Sequence, residues 1–305
     1  MKTLIETIVR ECGDVWRQGR VATYIPELGK GRADASGLAV FDLASGPASA
    51  GDTKSPFTMQ SVSKVVSLAL ALDTLGEEKV FSAVGMAALA DPFNSIMRLE
   101  MDAPHRPHNP LINSGAIMVL SLLPWRDGAE KFKAVQEMAA RLMGKKSAEI
   151  DTAVYLSEKE TGNRNRALAW FLKSVGNLEG DVEEILDVYF RQCSLTADCE
   201  DLAVLGATLA ADGKNPLTGE QAAPPGVARI VRTIMATCGM YDGSGEFAVS
   251  VGIPAKSGVG GGIAAAVPGR MGVGAWGPSL DKRGNSVAGL AMMKQLSEEL
   301  GLRIY

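Results

Sequence analysis

The order in which local patterns follow one another limits this chain's architecture more than any single motif does. At the N-terminus Leu4, Ile5, Ile8, Val9, Cys12, Val15 and Trp16 recur at helical spacing. Residues 38–43 then read as a strand, with the glycine- and proline-bearing stretch 46–52 as the turn after it. From Val62 the apolar positions Val65, Val66, Ala69, Leu70 and Leu72 predict a buried helix that stops at Gly76. Helical patterns dominate from there to about residue 235, over roughly 114–123, 130–143, 147–161, 164–175, 180–192, 198–211 and 225–236, with no strand interrupting them. After Gly239 the stretches 247–251, 263–267 and 271–276 read as short strands between glycine and proline turns, and 286–300 as a closing amphipathic helix. This order implies an α+β fold in which both ends of the chain share one sheet flanked by the terminal helices. The expected division is a sheet subdomain over about 1–60 and 237–305, with an all-helical subdomain inserted over about 61–236.

Seams between subdomains favour ligand sites, and at this seam stand Ser61 and Lys64. On a helix, positions i and i+3 share a face, so the Lys64 amine can reach the Ser61 hydroxyl. A serine hydroxyl needs a base before it can attack a carbonyl, and a lysine serves as one only when neutral, which burial or a second cation can arrange. The spacing alone is a weak signal, because Ser279 and Lys282 repeat it. There Pro278 precedes the serine and Arg283-Gly284 follow, which reads as a loop with no helical face to align the pair. Taken by itself, Ser61 also fits a helix-start serine beside a solvated lysine.

Composition narrows the field. With 305 residues, 46% of them hydrophobic, the chain is long enough for one large core or two packed subdomains. No apolar run reaches the roughly 18 residues that a membrane span requires, and residues 1–20 alternate charged and apolar positions, unlike a signal peptide. A cytoplasmic location is therefore expected. Cys12, Cys193, Cys199 and Cys238 show no Cys-x-x-Cys spacing and His105 and His108 are the histidines, so a zinc site of the usual kinds is not expected. A net charge of −4 without a basic cluster gives no footprint for nucleic acid.

Three further stretches hold more polar residues than packing needs. In 107–116, Asn109 and Asn113 flank a proline turn before an apolar helix, where Asn113 reads first as a cap. In 157–165, Glu158 and Asn165 stand on either side of Gly162, and a solvated loop is the plain reading. Tyr24, before Ile25-Pro26, reads as a packing aromatic. The third stretch joins Cys238-Gly239-Met240-Tyr241-Asp242-Gly243 to Pro254-Ala255-Lys256-Ser257-Gly258-Val259-Gly260-Gly261-Gly262. Glycine at this density suits a place where something approaches the backbone closely. A phosphate loop is disfavoured by Ala255 before the lysine, and a dinucleotide fingerprint by Val267-Pro268-Gly269, which cuts off the helix it needs. No Gly-x-Ser-x-Gly elbow occurs, which disfavours an α/β-hydrolase.

Ser-x-x-Lys at a helix start with Lys-Ser-Gly on a late strand outlines the penicillin-recognising serine hydrolases, although no serine is followed two residues later by asparagine, as their middle element requires. The resemblance becomes specific over Tyr24-Ile25-Pro26, Gln60-Ser61-x-x-Lys64, His108-Asn109-Pro110-x-x-Asn113-x-Gly115-Ala116, Ser157-Glu158-x-Glu160-x-Gly162-x-Arg164-Asn165, Tyr189-Phe190-x-x-Cys193-Ser194, Cys238-Gly239-Met240-Tyr241-Asp242 and Pro254-Ala255-Lys256-Ser257-Gly258-Val259. Together and in this order they resemble the serine-dependent glutaminase family. The resemblance implies a serine β-lactamase-like α+β fold with an antiparallel sheet, and hydrolysis of L-glutamine to L-glutamate and ammonia without metal or organic cofactor. It also implies a cytoplasmic homo-oligomer, dimer or tetramer, with no nucleic-acid or membrane partner. Carried over by position, it makes Ser61 the nucleophile, Lys64 its base and Tyr241 a proton relay. It makes Tyr24, Asn113, Glu158, Asn165, Tyr189 and the Val259 backbone substrate contacts, with Lys256 a supporting second cation that lowers the pKa of Lys64. Chemically, Glu158 suits the substrate's ammonium, while Asn113, Asn165 and Tyr189 suit its carboxylate. The alternatives left open are a penicillin-type hydrolase or esterase on the same scaffold, and a non-catalytic amino-acid-binding protein.

Overall fold

The computed structural model describes residues 1–89 and 94–305. Helix α1 (Lys2–Glu11) leads through a 3₁₀ turn at Val15–Gln18 to strands β1 (Gly37–Asp42), β2 (Gly46–Gly51) and β3 (Phe57–Thr58). A 3₁₀ turn at Gln60–Ser63 then opens a helical run: α2 (Lys64–Leu75), α3 (Glu77–Ala83), α4 (Met97–Met101), α5 (Asn113–Leu122), α6 (Gly128–Met143), α7 (Thr152–Thr161), α8 (Asn163–Ser174) and α9 (Val182–Cys193). After β4 (Thr196–Ala197) come α10 (Cys199–Ala210), α11 (Pro225–Cys238) and α12 (Ser244–Ser250), then β5 (Ala255–Ser257), β6 (Gly262–Val267), β7 (Met271–Trp276) and α13 (Val287–Leu300). Among the described residues, no helix is long and apolar enough to cross a membrane.

The expected α+β architecture is borne out. One antiparallel sheet, in the order β2-β1-β7-β6-β5, draws strands from both ends of the chain, with β1 pairing β7 through Gly37↔Trp276 to Asp42↔Met271. Its alternating side chains serve two cores. Leu38, Val40, Ile263, Val273 and Ala275 meet Ile5 and Ile8 of α1 and Met292, Met293 and Leu296 of α13. Ala39, Phe41, Ala264 and Ala266 belong to the larger core with Leu202 and Ala203 of α10 and the buried faces of α2, α5, α6 and α9. Helix α10 lies close against the sheet because β7 is glycine at the contact: a Cβ on Gly272 would stand 2.0 Å from the Ala203 carbonyl, and one on Gly274 2.0 Å from that of Cys199. Several helices between β3 and β5 start at an aspartate cap. Asp127, Asp151 and Asp181 accept the backbone N–H of Glu130, Val154 and Glu184, and Asp198 forms a full capping box.

Four expectations are corrected. The stretch 46–52 is not only a turn, because 46–51 is the edge strand β2. Residues 247–251 are not a strand: all but the last lie in α12, which buries Phe247 and Val251, four apart, and leaves Val249 80% exposed. The helical middle is interrupted by the two-residue strand β4, which pairs with β3. The N-terminal helix ends at Glu11, and Trp16 belongs to the following 3₁₀ turn.

Candidate active site

Three neighbours hold Ser61 in place. Strand β3 pairs antiparallel with β4, and the next residue, Met59, donates its N–H to the Leu195 carbonyl at 2.7 Å. The chain then turns through Gln60 at φ +48°, a left-handed conformation that costs a non-glycine residue energy and often marks functional sites. Ser61 follows in the 3₁₀ turn, which the Ser63 hydroxyl braces by donating to the Gln60 carbonyl at 2.6 Å. From the other side comes the glycine turn after β5. A Cβ on Gly258 would stand 2.4 Å from the Met59 carbonyl, and one on Gly260 2.3 Å from that of Thr58. The close approach that this glycine density predicts is thus made by the segment that carries Ser61, and it brings the backbone of Val259 beside Ser61.

Lys64 is fully buried, and burial pushes its amine down to about 8 against the opposing pull of Cys193 and Glu158. Its hydrogen bond goes to Asn113 Oδ1 at 2.6 Å rather than to the Ser61 hydroxyl. Asn113 in turn donates from Nδ2 to Asn165 Oδ1 at 2.9 Å. The capping reading of Asn113 is therefore replaced: Ile112 is the N-cap of α5, without a side-chain cap, and the Asn113 amide joins Lys64 to Asn165. With its Oδ1 occupied, Asn165 has its NH₂ group left to offer a ligand.

The solvated-loop reading of 157–165 is replaced as well. Glu158, on α7, is 5% exposed and Asn165, on α8, is buried. Burial raises the Glu158 carboxyl to about 8, opposed by Gln60, whose Nε2 is 3.5 Å from Oε2, and by Lys64 and Cys193. An acid held neutral in this way ionises readily when a cation arrives next to it. Tyr189, from α9, stands 2% exposed with its ring centroid 6.0 Å from Lys64 Nζ.

Tyr241 sits in a 3₁₀ turn at φ +56°, the second strained residue of the site. Burial raises its phenol, and interaction with the adjacent Ser61 hydroxyl works the other way. Lys256, fully buried on β5, ties this turn to the sheet: its Nζ donates to the carbonyls of Gly239 at 2.9 Å and Ser257 at 2.6 Å, 4.3 Å from the centre of the Tyr241 ring. Burial first, and then the charge of Lys64, push Lys256 well below the ordinary lysine range. The expected influence of Lys256 on Lys64 is thus met by one in the reverse direction.

Tyr24, Ser61, Asn113, Glu158, Asn165, Tyr189 and Val259 line one cavity of about 80 Å³, with Lys64, Tyr241 and Lys256 packed behind it. Tyr24 is 57% exposed at the mouth, so it is a rim residue and not a packing aromatic. Beyond Tyr24 and Val259 an open groove of about 820 Å³ runs past Arg20 and Lys282. Gln60, Asn94, Thr161, Arg164 and Cys193 also line the inner cavity. Sequence reasoning assigned them no role: Gln60, Arg164 and Cys193 stood inside noted motifs, and no local pattern marked Asn94 or Thr161.

Comparison with known proteins agrees with this geometry. A sequence profile described as Glutaminase matches residues 19–305. A glutaminase of Clostridium botulinum (strain Loch Maree / Type A3) is 50% identical over 305 residues, covering the whole of both chains. A crystal structure of a Bacillus glutaminase superposes with a TM-score of 0.93 at 38% identity, over 100% of this chain and 99% of that one. The Bacillus subtilis glutaminase in covalent complex with 5-oxo-L-norleucine, formed by reaction with 6-diazo-5-oxo-L-norleucine, does so at 0.89 and 38%, over 100% and 99%. On the match of profile, relatives and fold along its whole length, this chain belongs to the glutaminase family, whose members are amidohydrolases.

Proposed function

We propose that the chain hydrolyses the side-chain amide of L-glutamine through a glutamyl ester on Ser61. The observation that carries this reading is that a hydroxyl beside a lysine lowered to about 8 shares one small cavity with a buried acid raised to about 8. The substrate's ammonium would draw Glu158 into its charged form, while the amides of Asn165 and Asn113 meet its carboxylate. With the α-carbon held there, the amide carbon reaches Ser61. The Ser61 proton passes by way of Tyr241 to neutral Lys64 as Oγ bonds to that carbon, and the backbone N–H groups of Ser61 and Val259 receive the oxyanion. The C–N bond then breaks, with the proton returned to the leaving nitrogen, and ammonia departs. Water attacks the ester, gives up a proton to the same relay, and frees glutamate and Ser61.

That the Bacillus subtilis relative forms a covalent complex with 5-oxo-L-norleucine supports a covalent route. Assay of the purified chain for ammonia release, with glutamine and with the β-lactam nitrocefin, tests the reading. Release from glutamine alone is expected, and nitrocefin turnover without ammonia would replace this reading with the penicillin-type one. Treatment with 6-diazo-5-oxo-L-norleucine should modify Ser61, as located by peptide mass spectrometry, and should leave Ser61→Ala unmodified. The same reading takes the chain as a cytoplasmic homo-oligomer, dimer or tetramer. Four free, buried cysteines fit a reducing compartment, and light scattering would give the assembly mass.

A further inference from the structure

Between α7 and α9, outside the cavity, lies a charged cluster that the mechanism above leaves unused. Asp187 of α9 accepts the Tyr155 hydroxyl and the Lys159 amine of α7 on Oδ1, each at 2.5 Å, and Arg191 Nε on Oδ2 at 2.6 Å. Lys159 Nζ also donates to the Tyr155 hydroxyl at 3.1 Å, and the Arg191 guanidinium stands 4.8 Å from the centre of the Tyr155 ring. The four residues form one i, i+4 pair on each helix, so the two pairs meet face to face. The charged members are partly exposed, and ion pairs in contact with water contribute little stability. Three bonds converging on one carboxylate fix direction instead. Burial pushes the Asp187 carboxyl up, but the bonds from Lys159, Tyr155 and Arg191 outweigh it and lower the group to about 2, so it is ionised near neutral pH.

The cluster flanks Glu158, which follows Tyr155 by three residues and directly precedes Lys159. The ends of α7 are held separately. At its start Asp151 donates its N–H to the Ser194 carbonyl at 2.9 Å, and at its end Gly162 lies so close to Phe190 that a Cβ would stand 2.5 Å from Cζ. Two end contacts leave the roll of a helix to its side chains, and here Tyr155 and Lys159 are both bonded to Asp187. A small roll would carry the Glu158 carboxylate away from Gln60, whose Nε2 is 3.5 Å from Oε2. We infer that Asp187 is a positioning residue: by gripping α7 on both sides of Glu158 it sets the roll of that helix, and so the place where the carboxylate meets the substrate's ammonium. The inference rests on the glutaminase reading above.

The test compares L-glutamate with glutarate, which lacks the ammonium, as competitive inhibitors of glutamine hydrolysis by wild type and variants. Glutarate can still be met by Asn113 and Asn165, which stand on α5 and α8 and not on α7. Asp187→Ala should weaken L-glutamate and raise KM for glutamine about tenfold, with glutarate within about twofold of wild type. Tyr155→Phe keeps the ring and removes one bond to Asp187. It should weaken L-glutamate about threefold, and it decides the matter if Asp187→Ala does not fold. Asp187→Asn, which still accepts from Tyr155 and Lys159, should fall between Asp187→Ala and wild type. Asp181→Ala, which removes the cap at the start of α9, should lower the melting temperature and leave the ratio of the two inhibition constants at its wild-type value. An unchanged ratio in Asp187→Ala and Tyr155→Phe, or equal weakening of both ligands, would mean that the cluster serves stability alone. Either result would overturn the inference with the glutaminase reading intact. Absence of ammonia release from the wild type would overturn that reading, and the inference with it.

Discussion

Two stretches of this chain carry serine and lysine three residues apart, and their surroundings differ in almost every respect. Ser61 and Lys64 stand where a 3₁₀ turn becomes α2, with Lys64 fully buried, bonded to Asn113 and within the field of Glu158. Ser279 and Lys282 follow β7 in a loop. Asp281 closes that loop by accepting the N–H groups of Arg283 and Asn285, and Lys282 is exposed on the wall of the outer groove. Ser279 is itself buried, at 2%, so burial of the hydroxyl is not what separates the copies. The difference lies in the amine. Lys282 stays in contact with water, whereas desolvation at Lys64 makes the neutral form accessible near physiological pH. A sequence spacing becomes a nucleophile and base only when the fold strips water from the second member.

The comparison is broken most directly by exchanging which serine is removed. Ser61→Ala should lose several orders of magnitude in ammonia release, while Ser279→Ala stays within a few-fold of wild type. Residual activity above about a tenth in Ser61→Ala would mean that the ester mechanism is wrong. The lysines give the next largest contrast. Lys64→Met should lower kcat about a thousandfold, the range for loss of a general base, and Lys282→Met should change it by less than twofold. In wild type, kcat/KM should climb with pH and level off above the region of 8 to which Lys64 is lowered. That limb belongs to the coupled pair of Lys64 and Glu158 and not to one group. A flat profile from pH 6 to 9 would show that no buried amine gates the reaction.

Much of this contrast is legible in the sequence, and what escapes it has physical causes. Long helices such as α2, α6 and α9 declare themselves through apolar periodicity and their caps. Residues 247–251 mislead, because valines at alternate positions imitate a strand. Only packing against α11 and the sheet selects period four, with Phe247 and Val251 inward and Val249 outward. Strand β2 is hidden by its glycines and proline, which an edge strand tolerates since one side of its backbone goes unpaired. At the site, the side chains that the resemblance names line one cavity or pack behind it. Their partners do not follow from spacing. The bond from Lys64 to Asn113 joins residues 49 positions apart, and that from Asn113 to Asn165 joins residues 52 apart and depends on how α5 meets α8.

The two buried lysines sharpen the comparison further, with a smaller expected effect. Lys256 shares with Lys64 complete burial but faces carbonyls in place of a carboxylate, and burial with the charge of Lys64 pushes it well below the ordinary lysine range. The lowering of Lys64 itself comes from its burial. Lys256→Met should accordingly leave the rising limb of kcat/KM within about 0.3 pH units of wild type. It should lower kcat roughly tenfold, because the Tyr241 turn loses its tie to Gly239 and Ser257. A limb displaced by a full unit to higher pH would show instead that Lys256 carries charge and depresses Lys64, as expected from the sequence.

The smallest effect is on stability, and it too distinguishes the buried copy from the exposed one. Glu158 is raised from an ordinary 4.5 to about 8, so between those values the folded chain keeps a proton that the unfolded chain has released. Stability contributed by the protonated acid is complete below about 4.5 and is lost as pH rises through 8. Lys64 is lowered from 10.5 to about 8, so between 8 and 10.5 the unfolded chain holds the extra proton and stability rises with pH. The two trends meet in a trough near pH 8, where the site carries its full electrostatic cost without a substrate to offset it. Glu158→Gln removes the falling limb. Its melting temperature by scanning calorimetry should match wild type near pH 5 and exceed it by a few degrees at pH 8, although glutamine turnover is lost. Lys282→Met, on the exposed copy, should leave the melting temperature within about a degree of wild type, as surface substitutions do. An equal gain for Glu158→Gln at both pH values would mean that its carboxyl is not held protonated, and that the cavity is wetter than its burial implies.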